Sequence, residues 1–183
     1  MNWYTSDLHL SHINVISYCD RPYKNVHEMN QQLIKNWNSV VQEDDTVYVL
    51  GDVSMLGKSQ MEKLKSFIKQ LKGNKILIMG NHDEMNPAQY VKIGFNQVVY
   101  PFLETRSGWY AYHDPALATA IRNAELHLVG HVHQLFKLIP EKHMINVGVD
   151  VWDYYPVSEV TLETILKNWK FKEANNEIGK LQM

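Results

Sequence analysis

Four short apolar runs in this chain end alike, each breaking off into side chains that coordinate, hydrogen-bond or carry protons. Lys75-Ile76-Leu77-Ile78-Met79 stops at Gly80-Asn81-His82-Asp83, and Thr46-Val47-Tyr48-Val49-Leu50 at Gly51-Asp52. Trp3-Tyr4-Thr5-Ser6 leads to Asp7 and His9, and Leu126-His127-Leu128-Val129 leads through Gly130 to His131 and His133. Apolar runs of this length suit strands covered on both faces. Gly80 lets the chain turn sharply and approach a ligand. Where helices cross between strands, ligand sites lie beyond the carboxyl ends of the sheet, so the fold must deliver four sets of polar groups to one edge.

The intervening segments supply the crossovers. From Val26 to Val41 the apolar residues Met29, Leu33, Trp37 and Val40 fall on one helical stripe, with Asn25 and Glu28 spaced as an N-terminal cap. A second helix follows Gly57, with Ser59 and Glu62 spaced as a capping box and Met61, Leu64, Ile68 and Leu71 at helical intervals. Asn86-Pro87 reads as cap and first residue of a short helix reaching Ile93. Strand and helix alternating in this way predict a largely parallel sheet with right-handed crossovers. Beyond Gln97 the pattern changes to short strands over 97–100, 109–113, 126–129 and 144–147, read as a second, more antiparallel sheet. Leu162, Ile165, Leu166 and Trp169 mark a final helix, so the expected organisation is one domain over 1–170 and a mobile tail over 171–183.

A length of 183 residues fits one domain with a substantial core. With 45% apolar and 21% charged residues, and no apolar run near the roughly 20 residues that span a bilayer, neither a disordered nor a membrane protein is expected. Eighteen basic against twenty acidic residues give a formal charge of −2, which lacks the footprint of a dedicated nucleic-acid binder. Cys19 is the sole cysteine, so no intrachain disulfide can form. The first strand begins near Met1 without a charged and then apolar leader, so no secretion signal and a cytoplasmic location are expected.

Gathered together, the candidate site residues are Asp7, His9, Asp52, Asn81, His82, His113, His131 and His133. Carboxylate, imidazole and amide donors suit Mn²⁺, Fe²⁺, Ni²⁺ or Zn²⁺ better than Ca²⁺, which prefers oxygen alone. There are more donors than one ion uses. Two divalent ions sharing a carboxylate, about 3.5–4 Å apart, are a recurrent apparatus for displacement at phosphorus. The loop from Leu10 to Asn25 adds His12 and Arg21 as groups able to touch a substrate phosphate. His27, His127 and His143 read as structural.

Asp7-Leu8-His9, Gly51-Asp52, Gly80-Asn81-His82-Asp83, the lone His113 and Gly130-His131-Val132-His133 resemble the five ordered motifs of the calcineurin-like metallophosphoesterases. The likeness is to the small bacterial and phage members without accessory domains. It implies a four-layer α/β/β/α sandwich of two mixed sheets flanked by helices. Asp7, His9 and His133 would hold one ion and Asn81, His113 and His131 the other, with Asp52 bridging, and Mn²⁺ the first choice of metal. It implies further that His82, oriented by Asp83, is a proton donor to the leaving group and not a ligand. Tyr112, before His113, stands where many relatives carry a small hydroxyl residue. The expected activity is hydrolysis of a phosphomonoester or phosphodiester, most simply a small molecule, by hydroxide formed at the metal pair. A nuclease, a cyclic-nucleotide phosphodiesterase and a catalytically silent protein-binding scaffold are the alternatives. Oligomeric state is left open.

Overall fold

The protein is described by a computed structural model covering residues 1–121 and 124–181. Its first sheet holds β1 (Asn2–Thr5), β2 (Thr46–Val49), β3 (Asn74–Ile78), β4 (Gln97–Val99) and β10 (Val157–Ser158), in the order β10-β1-β2-β3-β4. β1 to β4 are parallel, as the alternation predicts, and β10 pairs antiparallel at the β1 edge. Between these strands run α2 (Val26–Val40), α3 (Met61–Ile68) and α4 (Pro87–Ile93), while α1 (Asn14–Tyr18) lies in the loop after β1. The second sheet, ordered β5-β6-β7-β9-β8, comprises β5 (Phe102–Glu104), β6 (Tyr110–Tyr112), β7 (His127–Val129), β8 (Leu138–Ile139) and β9 (Met144–Asn146). It is less antiparallel than expected, because β6, β7 and β9 run parallel and only the edge strands β5 and β8 reverse.

Alternation of side chains across β1 to β3 builds the layers. Val47, Val49 and Leu77 pack against Leu33 and Trp37 of α2, Leu64 and Ile68 of α3, and Ile93 of α4. Tyr4, Tyr48 and Ile78 point the other way, into a second cluster with Ala111, Leu128 and Ile145 of the facing sheet. Tyr4 and Tyr48 stack there with ring centroids 5.0 Å apart. Tyr112 and Val129 face outward from the second sheet against a 3₁₀ segment, Pro115–Ala120, so its outer layer is thinner than a full helix. Two mixed sheets flanked by helices are the fold the resemblance implies.

The caps divide by local geometry. Asn25 accepts from the Glu28 N–H, and Asn86 with Gln89 forms a full capping box behind Pro87. The expected Ser59–Glu62 box does not form: a 3₁₀ turn over Lys58–Gln60 leads into α3, and the Gln60 N–H is already bonded to the Gly57 carbonyl. α5 spans Glu159–Leu181 and presses Leu162, Leu166 and Trp169 onto the inter-sheet cluster. Helical backbone therefore runs through most of the stretch 171–183 that was expected as a tail, and positions 182 and 183 lie outside the described residues. Among the described residues no helix is long and apolar enough to cross a membrane.

Candidate metal centre

Every candidate ligand lies just past the carboxyl end of a parallel strand: Asp7 and His9 after β1, Asp52 after β2, Asn81 after β3, His113 after β6, His131 and His133 after β7. The two sheets thus aim their ends at one point. The turns are abrupt, for Asp7, His9, Asp52, His131 and His133 all have positive φ, between 47° and 71°. L residues other than glycine seldom adopt this region, and strain of this kind concentrates at functional sites. Close approach explains Gly80, whose φ is not positive and whose added Cβ would meet the Asp52 carboxylate and backbone nitrogen.

Two trios converge. Ligand atoms of Asp7, His9 and His133 lie within 4.8 Å of one another, and so do those of Asp52, His113 and His131. Asn81 joins the second trio, its Oδ1 standing 3.0 Å from His113 Nε2 and 2.9 Å from His131 Nδ1. Asp52 Oδ2, 3.4 Å from His113 Nε2 within its own trio, also stands 3.5 Å from His9 Nε2 of the other.

These residues fit divalent ions on their own chemistry. His9 Nε2 is buried without a hydrogen-bond partner among the described residues, which is costly unless something else satisfies it. His113 Nε2 and His131 Nδ1 face each other at 3.2 Å, an approach that needs a shared proton or a cation. The outward nitrogens are already engaged: His113 Nδ1 donates to the Leu50 carbonyl and His133 Nδ1 to Asp150, both at 2.7 Å. Such bonds fix which imidazole nitrogen remains free for a metal.

Charge balance tells the same story. Burial opposes ionisation of Asp52, but the His113 hydrogen bond and charge and the His82 N–H outweigh it and draw the carboxyl down to about 2. Burial likewise disfavours the imidazolium of His113, yet Asp52 and Asp7 raise it to about 9, and Asp150 raises His133 to about 10. Burial dominates at His9, lowering it to about 3, and at Asp7, whose carboxyl is pushed up. Carboxylates and imidazoles thus perturb one another strongly at the point where divalent ions would stand.

Of the remaining candidates, His82 borders the cluster with a partly exposed ring, its backbone N–H donating to Asp52 Oδ1 and its ring Nε2 4.0 Å from Asp52 Oδ2. Asp83 does not orient that ring. Its buried carboxylate accepts the N–H groups of Asp52, Val53 and Gly80 at 2.8–3.1 Å and clamps the β2 and β3 loops together. His12 sits at the mouth with Nδ1 3.3 Å from His9 Nδ1. Arg21 departs most from expectation: its side chain is fully buried and forks onto Asp150 at 2.7 and 3.0 Å. It also donates to the carbonyls of Asp7 and Leu8, so nothing of it is left for a substrate.

Asp150 is the functional residue the sequence reading missed. It links Arg21 to His133 and so holds a candidate ligand in place. The signal was present, since Ile145-Asn146-Val147-Gly148-Val149-Asp150 repeats the pattern of an apolar run ending in glycine and a carboxylate.

Two mixed sheets with this ligand cluster between their ends define a metallophosphoesterase-type domain. A model of the calcineurin-like phosphoesterase family matches residues 3–115. Protein MJ1445 of Methanocaldococcus jannaschii is 32% identical over 94% of this chain and 95% of its own length. The Gene 66 protein of Mycobacterium phage L5 is 30% identical over 82% of this chain and 86% of its own. The crystal structure of AQ665 from Aquifex aeolicus superposes with a TM-score of 0.68 over 90% of this chain and 98% of that one, at 24% identity, and shares the fold. The chain belongs to the calcineurin-like phosphoesterase family.

Proposed function

We propose that this protein is a binuclear, metal-dependent phosphoesterase that hydrolyses a small phosphoester in the cytoplasm. The observation that carries this reading is the Asp52 carboxylate, which belongs to the trio with His113 and His131 and also reaches the trio of Asp7, His9 and His133, its Oδ2 lying 3.4 Å from His113 Nε2 and 3.5 Å from His9 Nε2. Asp7, His9 and His133 would hold one ion, Asn81, His113 and His131 the other, and Asp52 would serve both. Divalent ions held by these residues would neutralise phosphate oxygens and lower the pKa of water towards about 7.

The chain's own residues supply the rest. The Leu50 carbonyl and Asp150 fix the tautomers of His113 and His133. Asp83 holds the Asp52 and Asn81 loops at a constant separation. His82 delivers a proton to the departing oxygen, because its ring is partly exposed beside Asp52 while both trios are complete without it. Mn²⁺ is the ion to test first.

Metal analysis after reconstitution with Mn²⁺ should give two ions per chain together with hydrolysis of p-nitrophenyl esters. Asp52→Asn should weaken both sites, and His9→Ala mainly one. A single ion at saturation, or loss of the same one ion in both variants, contradicts the assignment.

A further inference from the structure

Two clefts open beside the ligand cluster, and they share no lining residue. One, with a cavity volume of about 440 Å³, is walled by His9, His82 and His133 and then by Val15, Tyr18 and Met55. The other, about 200 Å³, runs from Asn81, His113 and His131 to Met79, Tyr100 and Leu117. Each begins at one trio and ends on apolar surface with a tyrosine 75% exposed, Tyr18 in the first and Tyr100 in the second. An aromatic face left in water beside a polar centre suits a planar or apolar group.

Charge narrows the choice further. Among the described residues no lysine or arginine lines either cleft, and the guanidinium of Arg21 is spent on Asp150 and backbone carbonyls. A phosphomonoester carries roughly −1.5 to −2 at neutral pH and three terminal oxygens, a demand commonly met by an arginine fork. A diester carries one charge, two terminal oxygens and a second organic arm. A monoester, or a cyclic diester with its single organic moiety, would fill one cleft only.

We infer that the preferred substrate is an acyclic phosphodiester, with its leaving arm in the Tyr18–Met55 cleft and its retained arm in the Tyr100–Leu117 cleft. The direction follows from His82, which lines the first cleft and not the second. This rests on the phosphoesterase reading. The oxygen of water bonds to phosphorus, and the bond to the arm beside Tyr18 breaks with its electron pair on the departing oxygen. That oxygen takes the proton of His82, and the proton lost by the attacking water passes to solvent, from which His82 is recharged. The products are an alcohol and a monoester.

Bis(p-nitrophenyl) phosphate and p-nitrophenyl phosphate share a leaving group and differ in charge and in the second arm, so it is the effect of Tyr100 variants compared across the two that tests the second cleft. The Mn²⁺-loaded protein should show the higher kcat/KM on the diester. Tyr100→Ala should lower that value by about twofold to tenfold, the range of one aromatic contact, and lower the monoester value by less. Tyr100→Phe, which keeps the ring, should retain the preference, and Tyr18→Ala should slow both esters alike. By calorimetry, Tyr100→Ala should weaken binding of diphenyl phosphate more than of phenyl phosphate. Preference for the monoester, or equal loss on both esters in Tyr100→Ala, overturns the inference while leaving a phosphoesterase. A protein that loads two ions and hydrolyses neither ester overturns both readings together.

Discussion

At His82 two roles for one imidazole predict different experiments. As a ligand its loss would cost metal; as a proton donor it would cost only rate, by the ~10²–10⁴-fold typical of general acid catalysis. His82→Ala should keep both ions and retain proportionally more activity on a p-nitrophenyl ester, whose leaving group needs little protonation, than on an alkyl ester. Equal slowing of both esters at equal metal occupancy, with chemistry rate-limiting, would rule the donor role out. Arg21 poses a similar choice. Removing it leaves the buried Asp150 carboxylate with His133 alone as its charged partner, and breaking a buried pair from one side costs up to about 3–5 kcal/mol. Arg21→Ala should therefore lower the unfolding midpoint and weaken metal binding at the proposed His133 site, whereas a substrate contact would raise KM at unchanged stability. Arg21→Lys should recover little, since an ammonium cannot reproduce the fork.

The strand–loop junctions are the elements that make the site. Gly51 has a φ of +82°, and a Cβ there would lie 2.6 Å from both the backbone nitrogen of Gly80 and His113 Nδ1. Gly51→Ala should cost at least the ~1–2 kcal/mol of a left-handed L residue and displace His113, so metal analysis should show the Asn81–His113–His131 ion weakened first. An undiminished ion count with unchanged thermal unfolding would show that the junction yields more readily than this. These junctions were legible because an apolar run broken by glycine and a donor is a local pattern. β10 was not, since Val157-Ser158 is too short to show a period and acquires its identity only by pairing with Trp3 and Tyr4 of β1. The same holds for β8 beside β9. Arg21 was misassigned for a related reason. Its partner Asp150 lies 129 residues away, and nothing in the loop sequence marks a guanidinium as buried. Asp83 stands beside His82 in sequence, yet its oxygens turn back to backbone N–H groups.

Across the whole molecule, each trio joins the two sheets. Asp7 and His9 follow β1 of the first sheet and His133 follows β7 of the second; Asp52 follows β2, while His113 and His131 follow β6 and β7. Direct bonds already cross this edge, from the His131 N–H to Asp7 and through the bridge between Ser6 and Gly148. Ions held there would tie the same sheets together, and a ligand that binds the folded chain alone stabilises it by mass action, about 2.7 kcal/mol at one hundred times its Kd. For a chain of this size each kcal/mol moves the midpoint by roughly 2–4 °C. Saturation with Mn²⁺ should thus raise the melting temperature by about 5–10 °C per ion, and chelation should reverse the gain. His133→Ala and His131→Ala should each forfeit about half of it, because each takes a donor from a different trio. Asp52→Asn should forfeit nearly all. If the metal-dependent rise survives in Asp52→Asn, the ions bind somewhere other than between the two sheets.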